Sequence, residues 1–292
     1  MEAKFGSNPA GPPEAIMSPQ MLLVTGASGR AGGALVRALE GRVPVREAGH
    51  RPGMVPFDLT DPGTYPAALD GVTAVFLMRP PQIAKGAAFR PFLDACVGRG
   101  IRRVAVLSVK GAERNRILPH HAMEREVMAR PFDWTMLRPS DFMQNLETVH
   151  RDDIRRHGRI AVPAGRGASA FVDVADVGAA AARVLTEDGH DGAGYTLTGP
   201  EALGFDQVAD VMTRVLGRPI RYEPPSVAGF VRARLAQGTP LGMALVMTAL
   251  YSVQRFGGAA EVSGDLPALL GRPAGDLRSY VARNAGAWAR QN

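Results

Sequence analysis

The sequence predicts an α/β fold, a doubly wound parallel sheet with a smaller, mainly helical C-terminal region, on three observations. Short apolar runs alternate with helix-compatible segments from Met21 onward, the first run leads directly into a glycine-rich turn, and that turn opens a helix. Strands buried on both faces read as continuous apolar runs, which is how these runs read.

Taken in order, the strands are expected at Met21 to Thr25, Val43 to Arg46, Thr73 to Met78, Arg103 to Ser108 and Trp134 to Arg138. Helices are expected between them at Arg30 to Glu40, Pro62 to Leu69, Ile83 to Val97 and His120 to Ala129, which makes repeated βαβ units. Beyond Asp141 the pattern loosens. Strands are expected near Ala170 and Tyr195, helices at Val174 to Leu185 and Phe205 to Leu216, and a helical C-terminus.

The 292 residues suit one domain over 21–292, in which about 141–292 forms the substrate region. Residues 1–20 are rich in Pro, Gly and Ser without periodicity and read as a flexible extension. A formal charge of +6 is spread along the chain, with lysine only at Lys4, Lys85 and Lys110, so no nucleic-acid groove is expected. The single Cys96 excludes an internal disulfide framework and agrees with a reducing, cytoplasmic setting. No signal pattern and no membrane-length apolar stretch is visible.

The most informative segment is MLLVTGASGRAGGALVRAL, where a strand meets Gly26, Gly29 and Gly32 and then a helix. Glycines allow a tight turn and close approach of backbone to a pyrophosphate, and the amides of the following helix attract its charge. This is the Rossmann-type dinucleotide site, and it places Gly26, Ser28, Gly29, Arg30, Ala31 and Gly32 against the cofactor. About twenty residues on, where an NAD-selective site carries an acid, stands Arg46, followed by His50 and Arg51. A guanidinium suits the 2′-phosphate of NADPH/NADP, although Arg46 beside Glu47 equally describes a solvated strand-end arginine. Asp58 and Leu59, then Met78, Arg79 and Pro80, and later Pro139 fall where successive strand ends would flank the adenine and the phosphates.

The segments TGASGRAG, FDLTDP, GVTAVFLMRPP, IRRVAVLS and FDWTMLRPSDFMQNL, in this order, resemble the NmrA-like atypical short-chain reductases over nearly all of 21–290. VPVREAGHRP, AFVDVADVGAAAARVL and YTLTGPEALGFDQVADVMTRVLGRPI resemble bacterial relatives of the festuclavine synthase and agroclavine dehydrogenase type. The chain also resembles angucyclinone ketoreductases. The resemblance implies a Rossmann domain, a phosphorylated nicotinamide cofactor and a C-terminal substrate pocket. It implies no single substrate, because the family holds reductases of ketones, imines and quinones and also dinucleotide-binding regulators.

Ordinary short-chain reductases protonate the product with a tyrosine activated by a lysine four residues later. Here Tyr65, Tyr195, Tyr222, Tyr251 and Tyr280 are followed at that spacing by Leu, Gly, Ser, Arg and Asn. The remaining catalytic candidates are Ser108, Ser140 and His120, whose i, i+4 neighbour Glu124 either orients it or forms an exposed ion pair. Neutral hydroxyls are poor acids, so a substrate carrying its own acid, such as a ketone beside a phenol, fits this site.

Substrate contacts are expected from Phe142, Met143, Gln144, Met243, Met247 and Tyr251. Residues 226–256 read as two helices, the second rich in Leu and Met, either a lid over an apolar substrate or a buried or dimer-forming helix. Asp173 and Asp176 begin a helix and read as capping acids, and no metal site is assigned. The expected function is an NADPH-dependent ketoreductase, monomeric or loosely dimeric, acting on a bulky aromatic polyketide-type substrate. The alternatives are an imine or quinone reductase and a non-catalytic NADP-sensing regulator.

Overall fold

The computed structural model describes residues 21–289; the expected extension at 1–20 lies outside them. Along the chain come β1 (Leu22–Thr25), α1 (Arg30–Leu39), β2 (Val45–Gly49), β3 (Val55–Pro56), α2 (Tyr65–Leu69), β4 (Ala74–Met78), α3 (Arg90–Gly98), β5 (Arg103–Leu107), α4 (Pro119–Met128) and β6 (Asp133–Pro139). The second half holds β7 (Arg159–Ile160), β8 (Ala168–Ser169), α5 (Val174–Thr186), β9 (Ala193–Leu197), β10 (Leu203–Gly204), α6 (Phe205–Leu216), β11 (Arg221–Tyr222), α7 (Val227–Ala236), α8 (Leu241–Arg255), α9 (Asp265–Leu270) and α10 (Leu277–Arg283).

Seven strands form one sheet in the order β3-β2-β1-β4-β5-β6-β9, and every pairing in it is parallel. Residue parity divides its two faces. Leu22, Val24, Phe76, Ala105 and Leu107 meet α1 and α5 on one side. Leu23, Val75, Leu77, Val104 and Val106 meet α2, α3 and α4 on the other. Because side chains alternate along a strand and both faces are covered, the central strands show unbroken apolar runs. A third core, around Met143, Phe171, Phe205, Phe230, Tyr280 and Trp288, consolidates the C-terminal region.

The expected elements are present with shifted edges. Residues 83–97 are not one helix; a short 3-10 turn over Gly86–Phe89 precedes α3. The expected strand Val43 to Arg46 begins at Val45 and runs on to Gly49, which alters the reading of Arg46 below. Asp173 caps α5 by accepting from the Ala175 amide. Asp176 instead accepts from Arg272 at 2.6 Å and from the Gly275 amide at 2.7 Å, so it anchors the 272–275 loop rather than capping its own helix.

Candidate active site

The strand order reverses between β1 and β4, and in an open parallel sheet the crevice beyond the carboxyl ends at such a point is where ligands bind. Thr25 ties these two ends together, donating to the Phe76 carbonyl at 3.0 Å and accepting from the Met78 amide at 2.9 Å. Gly26 follows with φ of +65°, a conformation that favours glycine. A Cβ on Gly32 would stand 2.4 Å from the Gly26 carbonyl oxygen, so α1 can begin this close to the turn only with glycine there. Ser28 is half-buried, Gly29 and Arg30 are exposed and Ala31 is buried, leaving the first amides of α1 facing the turn that a pyrophosphate requires.

Arg46 is a correction. It pairs with Leu23 in mid-strand, three residues before the end of β2, and its guanidinium donates to the carbonyls of Ala67, Ala68 and Asp70 at the end of α2. The residues beyond the carboxyl end of β2 are His50 and Arg51, both exposed. Asp58 makes a local turn through the Thr60 amide, and that bond holds its carboxyl below the usual range. Leu59 is buried, its carbonyl held by the Tyr65 hydroxyl. Met78, the last residue of β4, and Pro80 beyond it are half-buried, while the Arg79 guanidinium is engaged by the carbonyls of Pro80, Pro81 and Ile83.

The catalytic candidates separate. Ser108 follows β5, and its Oγ is buried with no hydrogen-bond partner among the described residues. It lies at the carboxyl end of its strand but is not among the residues that line the cavity described below. The Ser140 hydroxyl, by contrast, is engaged by the Ala170 carbonyl. His120 accepts from Arg79 Nε at 3.4 Å, and burial, with Arg79, pulls its imidazole down to about 4. It is therefore neutral at pH 7 and no ready proton donor. Of the two readings of Glu124, the exposed ion pair does not form, since Glu124 is buried and bonded to Arg138 of β6.

Beyond Pro139 the chain enters the wall of a cavity of about 710 Å³. Phe142, Phe171, Phe205, Met243, Met247 and Leu250 form its apolar part beside Tyr251, Gln254 and His150, and Asp141, Asp152, Asp153, Arg156 and Arg234 bring charged groups to the remainder of the lining. Met143 and Gln144 lie elsewhere. Met143 is buried in the C-terminal core, and Gln144 caps α5, donating to Asp173 at 2.8 Å and accepting from the Val174 amide at 3.1 Å. In α8, Ala244, Tyr251 and Gln254 are buried, Met247 lines the cavity, Met243 and Leu250 line it at an exposed rim, and Leu245 and Val246 are exposed away from it. Sequence reading missed His150 because nothing in its neighbourhood repeats, and its partner Tyr251 is a hundred residues away.

The family model described as NAD(P)H-binding matches residues 26–188. The chain belongs to this NAD(P)H-binding family. It is 30% identical to the NAD(P)H azoreductase of Xenophilus azovorans, a match covering 92% of this chain and 99% of the relative. It is 28% identical to the agroclavine dehydrogenase of Claviceps fusiformis over 91% of this chain and 98% of that enzyme. Among solved structures, the NADPH complex of the Escherichia coli quinone oxidoreductase QOR2 superimposes with a TM-score of 0.81 at 25% identity, covering 91% of this chain and 99% of that one.

Proposed function

We propose that this protein is an NADPH-dependent reductase of flat, apolar aromatic electrophiles, with quinones as its best-suited class. The observation that carries the reading is the aromatic and methionine patch in the cavity that opens two residues past the end of β6, on the same edge of the sheet as Gly26 and Ser108. Bound NADPH supplies the hydride. His50 and Arg51 hold its 2′-phosphate, and the amides at the start of α1 hold its pyrophosphate.

The missing acid also supports a quinone. A simple ketone becomes a strongly basic alkoxide and needs a proton from the site, whereas a quinone becomes an aromatic phenolate that water can protonate. His120 is neutral and the Ser140 hydroxyl is engaged, so the site favours the second kind of substrate. The printed names of the azoreductase and quinone oxidoreductase relatives agree with this class. Because the same lack of an acid suits a polycyclic ketone beside a phenol, the polyketide-type ketone is the second reading.

The test is NADPH oxidation followed by absorbance with naphthoquinones, aryl azo dyes and phenolic ketones together with their O-methyl ethers. Oxidation driven by naphthoquinones supports the first reading. Turnover restricted to the free phenolic ketones supports the second, and tight NADPH binding without any turnover indicates a regulator instead.

A further inference from the structure

One wall of the cavity brings a phenol and an imidazole together. Tyr251 Oη stands 3.0 Å from His150 Nε2, and both residues line the cavity while being 8% and 2% exposed. The ring of Phe205 packs on both, and that of Phe230 on Tyr251, which fixes the two groups laterally.

The direction of this hydrogen bond depends on which imidazole nitrogen carries the hydrogen. His150 Nδ1 is buried and has no partner among the described residues. A hydrogen there would be an orphaned buried N–H, a rarer and costlier defect than an acceptor with an unused lone pair. The ring is also held neutral by its burial and by Arg234, so only one nitrogen is protonated. With the hydrogen on Nε2 instead, the ring donates to Tyr251 Oη, and the donor left over is the phenol O–H of a residue that lines the cavity, where a ligand can accept from it. That contact is the hydroxyl's one hydrogen bond within the described residues, so its own O–H has no acceptor there.

We propose that the Tyr251 O–H is the anchor for the acceptor atom of the substrate, a quinone carbonyl oxygen, and that His150 is a positioning residue that frees this hydrogen for the cavity by donating from Nε2. The inference rests on the reading that the cavity takes an aromatic electrophile. Burial holds the phenol above its ordinary range, so it stays protonated and contributes a hydrogen bond without transferring its proton. Charge gathering on the carbonyl oxygen during reduction strengthens that bond.

The test compares the full-length wild type with Tyr251→Phe, His150→Leu and His150→Gln. Menadione, a small naphthoquinone, is titrated calorimetrically into each protein saturated with NADP⁺, where no reduction can occur. Tyr251→Phe and His150→Leu are expected to weaken menadione about fivefold to tenfold, the usual effect of one hydrogen bond. His150→Gln, whose amide N–H can reach the position of Nε2, is expected to restore affinity, and NADPH affinity is expected to be unchanged throughout. Tyr251→Phe keeps the ring packing and so stands as the test even if His150→Leu folds poorly. Equal menadione affinity in the wild type and Tyr251→Phe overturns the proposal, as does a wild type that does not bind menadione. Failure of the broader reading looks different: menadione binds with this pattern, yet no quinone consumes NADPH.

Discussion

Arg138 and Glu124 meet in a two-pronged ion pair, Nε to Oε1 at 2.9 Å and Nη2 to Oε2 at 2.8 Å, that joins α4 to β6. Glu124 is 1% exposed, so the pair was desolvated on folding and its value lies in being complete. Without Glu124 the guanidinium keeps Glu113, whose carboxylate lies 3.4 Å from Arg138 Nε, so removing Glu124 costs about 1–3 kcal/mol, whereas removing both partners can be nearly neutral. Glu124→Leu is expected to lower stability by that amount in urea unfolding, and the added change Arg138→Met to recover most of it. A double variant no more stable than the single one would show that the pair contributes more than mutual neutralisation.

The move from Arg46 to Arg51 has a direct consequence for cofactor choice. Arg51→Ala removes an exposed guanidinium beyond the end of β2 and is expected to weaken NADPH about tenfold or more while leaving NADH nearly unchanged. Arg46→Ala is expected to leave the ratio of the two affinities intact and to lower thermal stability, because its guanidinium binds the last carbonyls of α2. Fluorescence titration of both variants with both dinucleotides decides it. A ratio that collapses in Arg46→Ala restores the strand-end reading of that residue.

Gly32→Ala tests the turn itself. The added methyl would lie 2.4 Å from the Gly26 carbonyl oxygen and 2.9 Å from Ala27 Cα, both backbone, so α1 must retreat. Overpacking of this kind costs about 1–3 kcal/mol. NADPH binding is expected to weaken at least as much as stability falls, since the helix that retreats carries the pyrophosphate amides. Gly33→Ala, whose methyl would meet the Ala27 carbonyl oxygen only at 3.4 Å, is expected to be near neutral when NADPH is titrated calorimetrically into both variants.

The sheet was legible because β1, β4 and β5 are buried on both faces and must read as apolar runs between helices. The turn at Gly26 was legible because its glycines are backbone requirements local in sequence. Strand ends were not, since nothing in VREAG says that pairing with β1 continues to Ala48, and that three-residue extension is what misplaced Arg46. The role of Glu124, left open between orienting His120 and an exposed ion pair, was not legible because its partner Arg138 is fourteen residues away on another element. The cavity was half legible: α8 showed its apolar excess, but only the fold sets Tyr251 against His150.

Two desolvated histidines, His150 buried and His120 half-buried, contribute to the protein's response to acid. Burial and Arg234 pull His150 to about 3, and burial and Arg79 pull His120 to about 4. An unfolded imidazole titrates near ~6.5, so as pH falls the unfolded chain takes up these protons first. The stability they contribute is complete above that value and is lost as pH falls through it, until about 4 for His120 and about 3 for His150. Between pH 7 and 5 the His150 share of this loss is about 2 kcal/mol. His150→Gln cannot titrate, so its melting temperature is expected to fall less steeply than the wild type's over that interval, as scanning fluorimetry at constant ionic strength would show. Parallel curves would mean that His150 is protonated in the folded state near its ordinary pKa, and the neutral, Nε2-protonated ring that orients Tyr251 would be lost with it.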